Sequence, residues 1–132
     1  MTIQNLLLNL CKLAKQDQAL RGARLIVDPN LRGPIGIRLD FPGTSFELRV
    51  NPEDDTIVCS ETKGPNDTPT YPSESSLGSL TGLRVFSAWG LTNQNGYEDG
   101  VEIEFISDDR KTILIRLIAE ASELRIHRVP TS

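Results

Sequence analysis

Two glutamates, Glu102 and Glu104, have the spacing in this 132-residue chain that most invites chemistry. In a strand, alternate side chains share a face and lie about 7 Å apart. Inverting glycosidases place a general acid and a general base at a separation of that order. Arg125 and His127 alternate in the same way near the C-terminus. A catalytic set of Glu102, Glu104, His127 and Arg125 in a sheet concavity would make the chain a small hydrolase-like enzyme. The same residues have a plainer reading. Arg116, Arg125 and His127 fall on the outward phase of the strands that follow, so cross-strand ion pairs account for the carboxylates without catalysis.

Other chemistry is thinner. His127 is the single histidine, and Cys11 and Cys59 are far apart, so no zinc-type ligand spacing exists. Glu53, Asp54 and Asp55, or Asp108 and Asp109, could meet a hard cation. They lack the spaced ligands and central glycine of a calcium loop, and aspartate serves turns by capping its own backbone. Ser87, Ser122 and Cys59 are conceivable nucleophiles, but none sits in a nucleophile elbow or a cysteine-protease context. Gly33-Pro34-Ile35-Gly36 enters a strand, with no helix behind it to cradle phosphate. The expectation is therefore no metal and no cofactor.

Residues 89–100 hold the only tryptophan and one of two tyrosines, among turn formers. Aromatic anchors beside a polar rim are what protein interfaces use. Trp89, Asn93, Tyr97 and Asp99 are the candidate binding residues, with the stretch 61–79 as a flanking lid. The competing reading puts Trp89 in the core and gives the hairpin its glycines for turning alone.

These residues need elements to position them. Ile3, Leu6, Leu7, Leu10, Leu13 and Ala14 follow helical spacing, so residues 2–18 read as an amphipathic helix with Thr2 as N-cap. The rest alternates with period two. Ile35, Ile37, Leu39 and Phe41 lead through Pro42-Gly43 to Phe46, Leu48 and Val50, a β-hairpin. Leu83, Val85 and Trp89 share one phase. Val101, Ile103 and Phe105 face inward, opposite Glu102 and Glu104. Short connections imply antiparallel neighbours. The expected fold is α+β in one domain: the helix packed on a bent, mainly antiparallel sheet or half-open barrel of about seven strands. Residues 61–79, with three prolines and few apolar side chains, read as a mobile loop. Cys11 and Cys59 read as two buried, reduced thiols.

Composition narrows the partners. The net charge is −4, from 14 Lys+Arg against 18 Asp+Glu, and no basic cluster interrupts it. A nucleic-acid partner is not expected. Apolar runs are strand-length, so no membrane span is expected. The N-terminus has neither the early charge nor the long apolar stretch of a secretory signal, which makes the cytoplasm the default.

The Trp-bearing strand, the Asn-rich turn with Gly96-Tyr97-Glu98-Asp99-Gly100, the acidic strand after it and Ala121-Ser122-Glu123-Leu124 together carry a resemblance. Over about residues 80–129 the chain resembles small uncharacterised bacterial proteins of unknown function. Similar small domains serve as immunity or partner-binding proteins, by analogy alone. The resemblance and the hairpin imply a non-catalytic protein-binding module with a protein partner. The enzyme above is the alternative, and a homodimer or larger oligomer joined through sheet edges is a third reading.

Overall fold

The Thr2 hydroxyl accepts a hydrogen bond from the Asn5 amide at 3.0 Å and starts helix α1 (Ile3–Lys15) in the computed structural model of the chain. The structure describes residues 1–64 and 75–130. Lys12 and Lys15 lie in the last turn of α1, where their charge suits the helix dipole. The helix stops before residue 18 because Asp17 enters the left-handed region at φ 60°. The Asp17 and Gln18 amides then fold back onto the carbonyls of Ala14 and Leu13.

Among the described residues eight strands follow: β1 (Gly22–Ile26), β2 (Gly36–Phe41), β3 (Thr44–Asn51), β4 (Thr56–Thr62), β5 (Arg84–Thr92), β6 (Glu98–Ile106), β7 (Thr112–Glu120) and β8 (Glu123–Pro130). A one-turn helix, α2 (Ser75–Gly78), precedes β5. The strands form two four-stranded sheets, β1-β2-β3-β4 and β5-β6-β7-β8, and every neighbouring pair is antiparallel. The helix-on-antiparallel-sheet expectation holds, refined from one bent sheet of about seven strands to two open sheets of four. Glu61 and Thr62 belong to β4, and Leu77 and Leu80 are buried, so the loop expected over 61–79 is shorter at both ends. Its reading as a mobile lid concerns residues 65–74, which lie outside the described residues.

The alternation in the sequence explains the core. Ile37, Leu39, Phe46 and Leu48 from the first sheet join Val101, Ile103, Phe105 and Leu117 from the second in one buried cluster. Phe41 and Phe46 meet edge to face, with ring centroids 6.0 Å apart. Helix α1 adds Ile3, Leu6, Leu10 and Leu13, and it packs against β5 and β4, the edge strands of the two sheets. It thus closes one open side of the sandwich. At the other end, the turn between β7 and β8 is tied to the first sheet. Ser122 donates its amide to Asp55 at 2.8 Å, and Leu124 donates to the Pro34 carbonyl at 2.8 Å.

Two local features carry tests. Ala121 and Ser122 both hold positive φ, 52° and 65°, in the two-residue turn between Glu120 and Glu123. Such a turn favours Asn-Gly, and a left-handed Ala is strained by roughly 1 kcal/mol. Ala121→Gly is expected to raise stability by about 0.5–1 kcal/mol, read as a higher urea midpoint; a lower midpoint contradicts the strain. The cysteines differ from expectation. Cys59 is buried on β4, and burial pushes its pKa up to about 12. Cys11, by contrast, is exposed, because it falls one position beyond the Leu10 stripe of α1. One thiol per chain should react with a maleimide in the native state and the second only on unfolding. Mass spectrometry finding both modified in folded protein would contradict this placement.

Candidate functional site

Strand β5 contains a bulge that decides which of its side chains are available. Val85 pairs with Phe105 and Ser87 with Glu104, so Phe86 is an extra residue and the phase changes there. Val85 points into the core. Beyond the bulge, Ser87 and Trp89 share the outward face, opposite Glu104 and Glu102. Trp89 is therefore not in phase with Val85, as the simple alternation predicts, and it is 47% exposed. The inward positions fall to Ala88 and Gly90, where α1 lies. A Cβ on Gly90 would sit 3.4 Å from Ile3 Cγ2 and 3.8 Å from Leu7 Cδ1. A large inward side chain there would lift the helix off the sheet.

The outward face of β5–β8 is built in rows. Trp89, Glu102, Arg116 and His127 lie across one row. Leu91, Gly100, Ile118 and Arg125 lie across the next, and Ser87, Glu104, Leu114 and Val129 across the one on the other side. Gly100 has a local reason: a Cβ would come within 2.9 Å of the Leu117 carbonyl and 3.1 Å of Leu91 Cδ1. Leu91 folds over the space a side chain would fill.

The turn at one end of this face is organised by Asn93. Its side-chain oxygen accepts from the amides of Asn95 at 2.9 Å and Tyr97 at 3.1 Å, and Gly96 takes the positive φ, 83°. Tyr97 projects into solvent, 52% exposed. Asp99 is the unpaired residue at a second register shift, between the Leu91–Gly100 and Thr92–Glu98 pairs. The four candidate binding residues thus lie on one hairpin. Trp89 and Tyr97 are exposed on it, and Asn93 holds its shape.

The structure also places the four residues of the catalytic alternative on this face. Arg116 Nε lies 3.0 Å from Glu102 Oε1, the cross-strand pair anticipated from the alternation. Glu104 accepts from the Ser87 hydroxyl at 3.2 Å. Arg125 pairs with Glu123 at 3.3 Å, and His127 is exposed. The two carboxylates are half-buried among partners, and the histidine stands in solvent beyond Arg116.

Open clefts lie elsewhere among the described residues. One of about 370 Å³ between α1 and the β2–β3 turn is lined by Asn9, Lys12, Thr44, Glu61 and Lys63, with Glu61 held by Asn9 and Thr44 at 2.9 Å each. A neighbour of about 290 Å³ borders Arg21, Arg38 and Asp40. A third, about 600 Å³, lies beside Arg84, which is bound by Asp17 and, at 3.3 Å, by Asp108. The hydrogen bond to Asp17 raises the Arg84 pKa further.

The acidic turns are held by their own surroundings. Thr56 donates its amide and hydroxyl to Asp54 at 3.2 and 2.7 Å. Ser107 donates to Asp109 and, with Lys111 nearby, keeps that carboxyl below its ordinary pKa. Among the described residues, no three His, Cys, Asp or Glu side chains gather as metal ligands would.

A family of unknown function, DUF6334, matches residues 4–131. The chain belongs to it. The likeness noted over residues 80–129 thus extends, in DUF6334, to nearly the whole chain. No curated protein matches, and no solved structure matches.

Sequence reading missed the most buried charges of this DUF6334 chain. Arg38 and Glu47 are directly opposed on the outward face of β2 and β3, yet only 7% and 5% exposed. Arg38 Nε lies 3.3 Å from Asp40, and Arg49 Nη2 lies 2.7 Å from Glu47. A signal was available: the Pro42-Gly43 turn sets opposite charges across the hairpin. Arg49 and Arg116 are exposed alike, but Glu47 is buried opposite the buried Arg38. Its loss removes a counter-charge from a withdrawn guanidinium at a cost of about 3 kcal/mol, whereas the part-exposed Glu102–Arg116 pair contributes under about 1 kcal/mol. Glu47→Ala should therefore destabilise by about 3 kcal/mol and Glu102→Ala by under about 1 kcal/mol in urea unfolding. The reverse order would show that the β5–β8 face holds the structural pair.

Proposed function

We propose that this chain is a non-catalytic protein-binding module of the cytoplasm that receives its partner on the outer face of β5–β8. The observation that carries this reading is the outward turn of Trp89 at the Phe86 bulge. Bulges re-aim side chains beside functional surfaces, and tryptophan is the commonest kind of interface anchor. Leu91, Leu114 and Ile118 lie on the same face, half-buried. The central charges, Glu102 and Arg116, are paired, so covering them does not strand a lone ion. Tyr97 and Asp99 extend the surface along the hairpin.

Two further observations support the setting. Cys11 and Cys59 are unpaired, and an exposed free thiol suits a reducing compartment. Among the described residues no helix is long and apolar enough to cross a membrane. The net charge of −4 favours a protein over a nucleic acid as partner.

The test is capture of proteins on tagged chain in cells that also express untagged chain. Trp89→Ala removes an anchor whose truncation costs at least about 2 kcal/mol, roughly 30-fold in affinity. Asp99→Arg reverses a rim charge and should slow association several-fold. Both variants should keep the wild-type thermal midpoint to within about 2 °C, since both positions lie outside the core. If both variants retain every wild-type partner at wild-type yield, the face is not the interaction surface.

A further inference from the structure

We infer that the occupant of the β5–β8 face is a second copy of this chain, related by a two-fold axis that runs parallel to the strands between β6 and β7. The inference rests on the proposed interaction surface and names its partner.

A two-fold interface requires a surface that meets itself with complementary chemistry after a half-turn. The central row of this face is divided along such a line. Strand β6 carries Glu102 and strand β7 carries Arg116, opposed in register. Arg125 on β8 already has Glu123 beside it. A partner of one charge sign would complement one side of the central row and oppose the other. A half-turn about the proposed axis sets β6 against the second copy's β7, and β5 against its β8. Rows are preserved by that rotation. Glu102 then faces the second copy's Arg116, and Trp89 faces its His127, each contact occurring twice. The two Glu102–Arg116 pairs close into a ring of alternating charge. Arg116 is free to join it, because its side chain is 41% exposed while it bonds Glu102. In the next row, Leu91 covers Gly100, so the second copy's Ile118 meets the Leu91 side chain. An apolar contact and a charged one thus occur about the same axis.

Size sets the strength. Four strands about 4.8 Å apart, with about five residues each, span on the order of 300 Å² of flat sheet. Side-chain relief brings this to no more than the roughly 800 Å² per partner of an ordinary stable interface. The dimer should be concentration-dependent, with a dissociation constant on the order of 10–100 µM.

Sedimentation equilibrium of the full chain from about 10 µM to 1 mM tests this. The wild type is expected to pass from monomer to dimer over that range. Glu102→Arg and Arg116→Glu should each weaken the dimer at least about tenfold, because like charges then meet across the axis. Mixed in equal amounts, the two variants should dimerise with each other, since every reversed charge faces its opposite. If either variant fails to fold by circular dichroism, the wild-type series and Trp89→Ala decide, with at least about tenfold weakening expected for Trp89→Ala. A wild type that stays monomeric at 1 mM overturns the inference, as do variants that dimerise at wild-type strength or a mixture no stronger than its components. A monomeric wild type whose Trp89→Ala variant still loses a captured protein overturns the second copy alone and leaves the interaction surface standing.

Discussion

Helix α1 can reach the core only where β5 presents it with no large side chain, and this steric condition governs the rest of the second sheet. The helix closes the side of the sandwich bordered by β4 and β5. Its Ile3 and Leu7 come down on Gly90, with Ala88 the other inward residue of that segment. An uninterrupted strand would have turned Ser87, Trp89 and Leu91 inward instead. Packing a tryptophan under the helix would force the close contacts that make overpacked cores unstable. The extra residue at Phe86 changes the phase and settles the conflict. One backbone irregularity thus packs the helix and puts the aromatic residue outside.

The two sheets handle charge differently, and the difference separates structure from surface. On β2 and β3, Arg38 and Glu47 are almost fully withdrawn from water. Charges taken out of water must be paired, and Arg38 has Asp40, and Glu47 has Arg49, beside it on the same strand. On β6 and β7, Glu102 and Arg116 pair across strands and keep part of their surface in solvent. Arg38 and Glu47 are themselves held by burial. Glu102 and Arg116 can add an external partner without first losing an internal one, since an arginine has five donors and a carboxylate two oxygens.

Much of the architecture was legible because period and capping are local signals. Thr2, the Leu6–Leu10–Leu13 stripe and the β2–β3 hairpin around Pro42-Gly43 each follow from a few neighbouring residues. The outward phase of Glu102, Glu104, Arg116, Arg125 and His127 followed from alternation within unbroken strands. What was not legible depends on tertiary contact. No residue type announces a bulge at Phe86, so the phase of Trp89 was lost. Cys11 was misplaced because exposure at the margin of a helical stripe depends on what packs beside the helix. The depth of Arg38 and Glu47 was hidden for the same reason, although their opposite charges were visible. The split into two sheets, rather than one bent sheet, was not legible because composition between β4 and β5 carries no periodic signal.

The same sheet shows why association should use its face and not its edges. One edge strand, β5, has α1 packed against it. The other, β8, reads Glu-Leu-Arg-Ile-His-Arg-Val-Pro. Positive charge and proline on an edge strand oppose the addition of another strand, because like charges would be brought side by side and a proline lacks the amide that the ladder needs. Two copies joined through β8 would set Arg125, His127 and Arg128 against their own repeats. Turned face to face, His127 instead meets Trp89 and Arg125 meets Leu91, while Arg128 lies on the other phase of the strand. The strand that opposes edge-to-edge growth thus leaves the face, where Glu102 and Arg116 stand opposed in register, as the surface open to association.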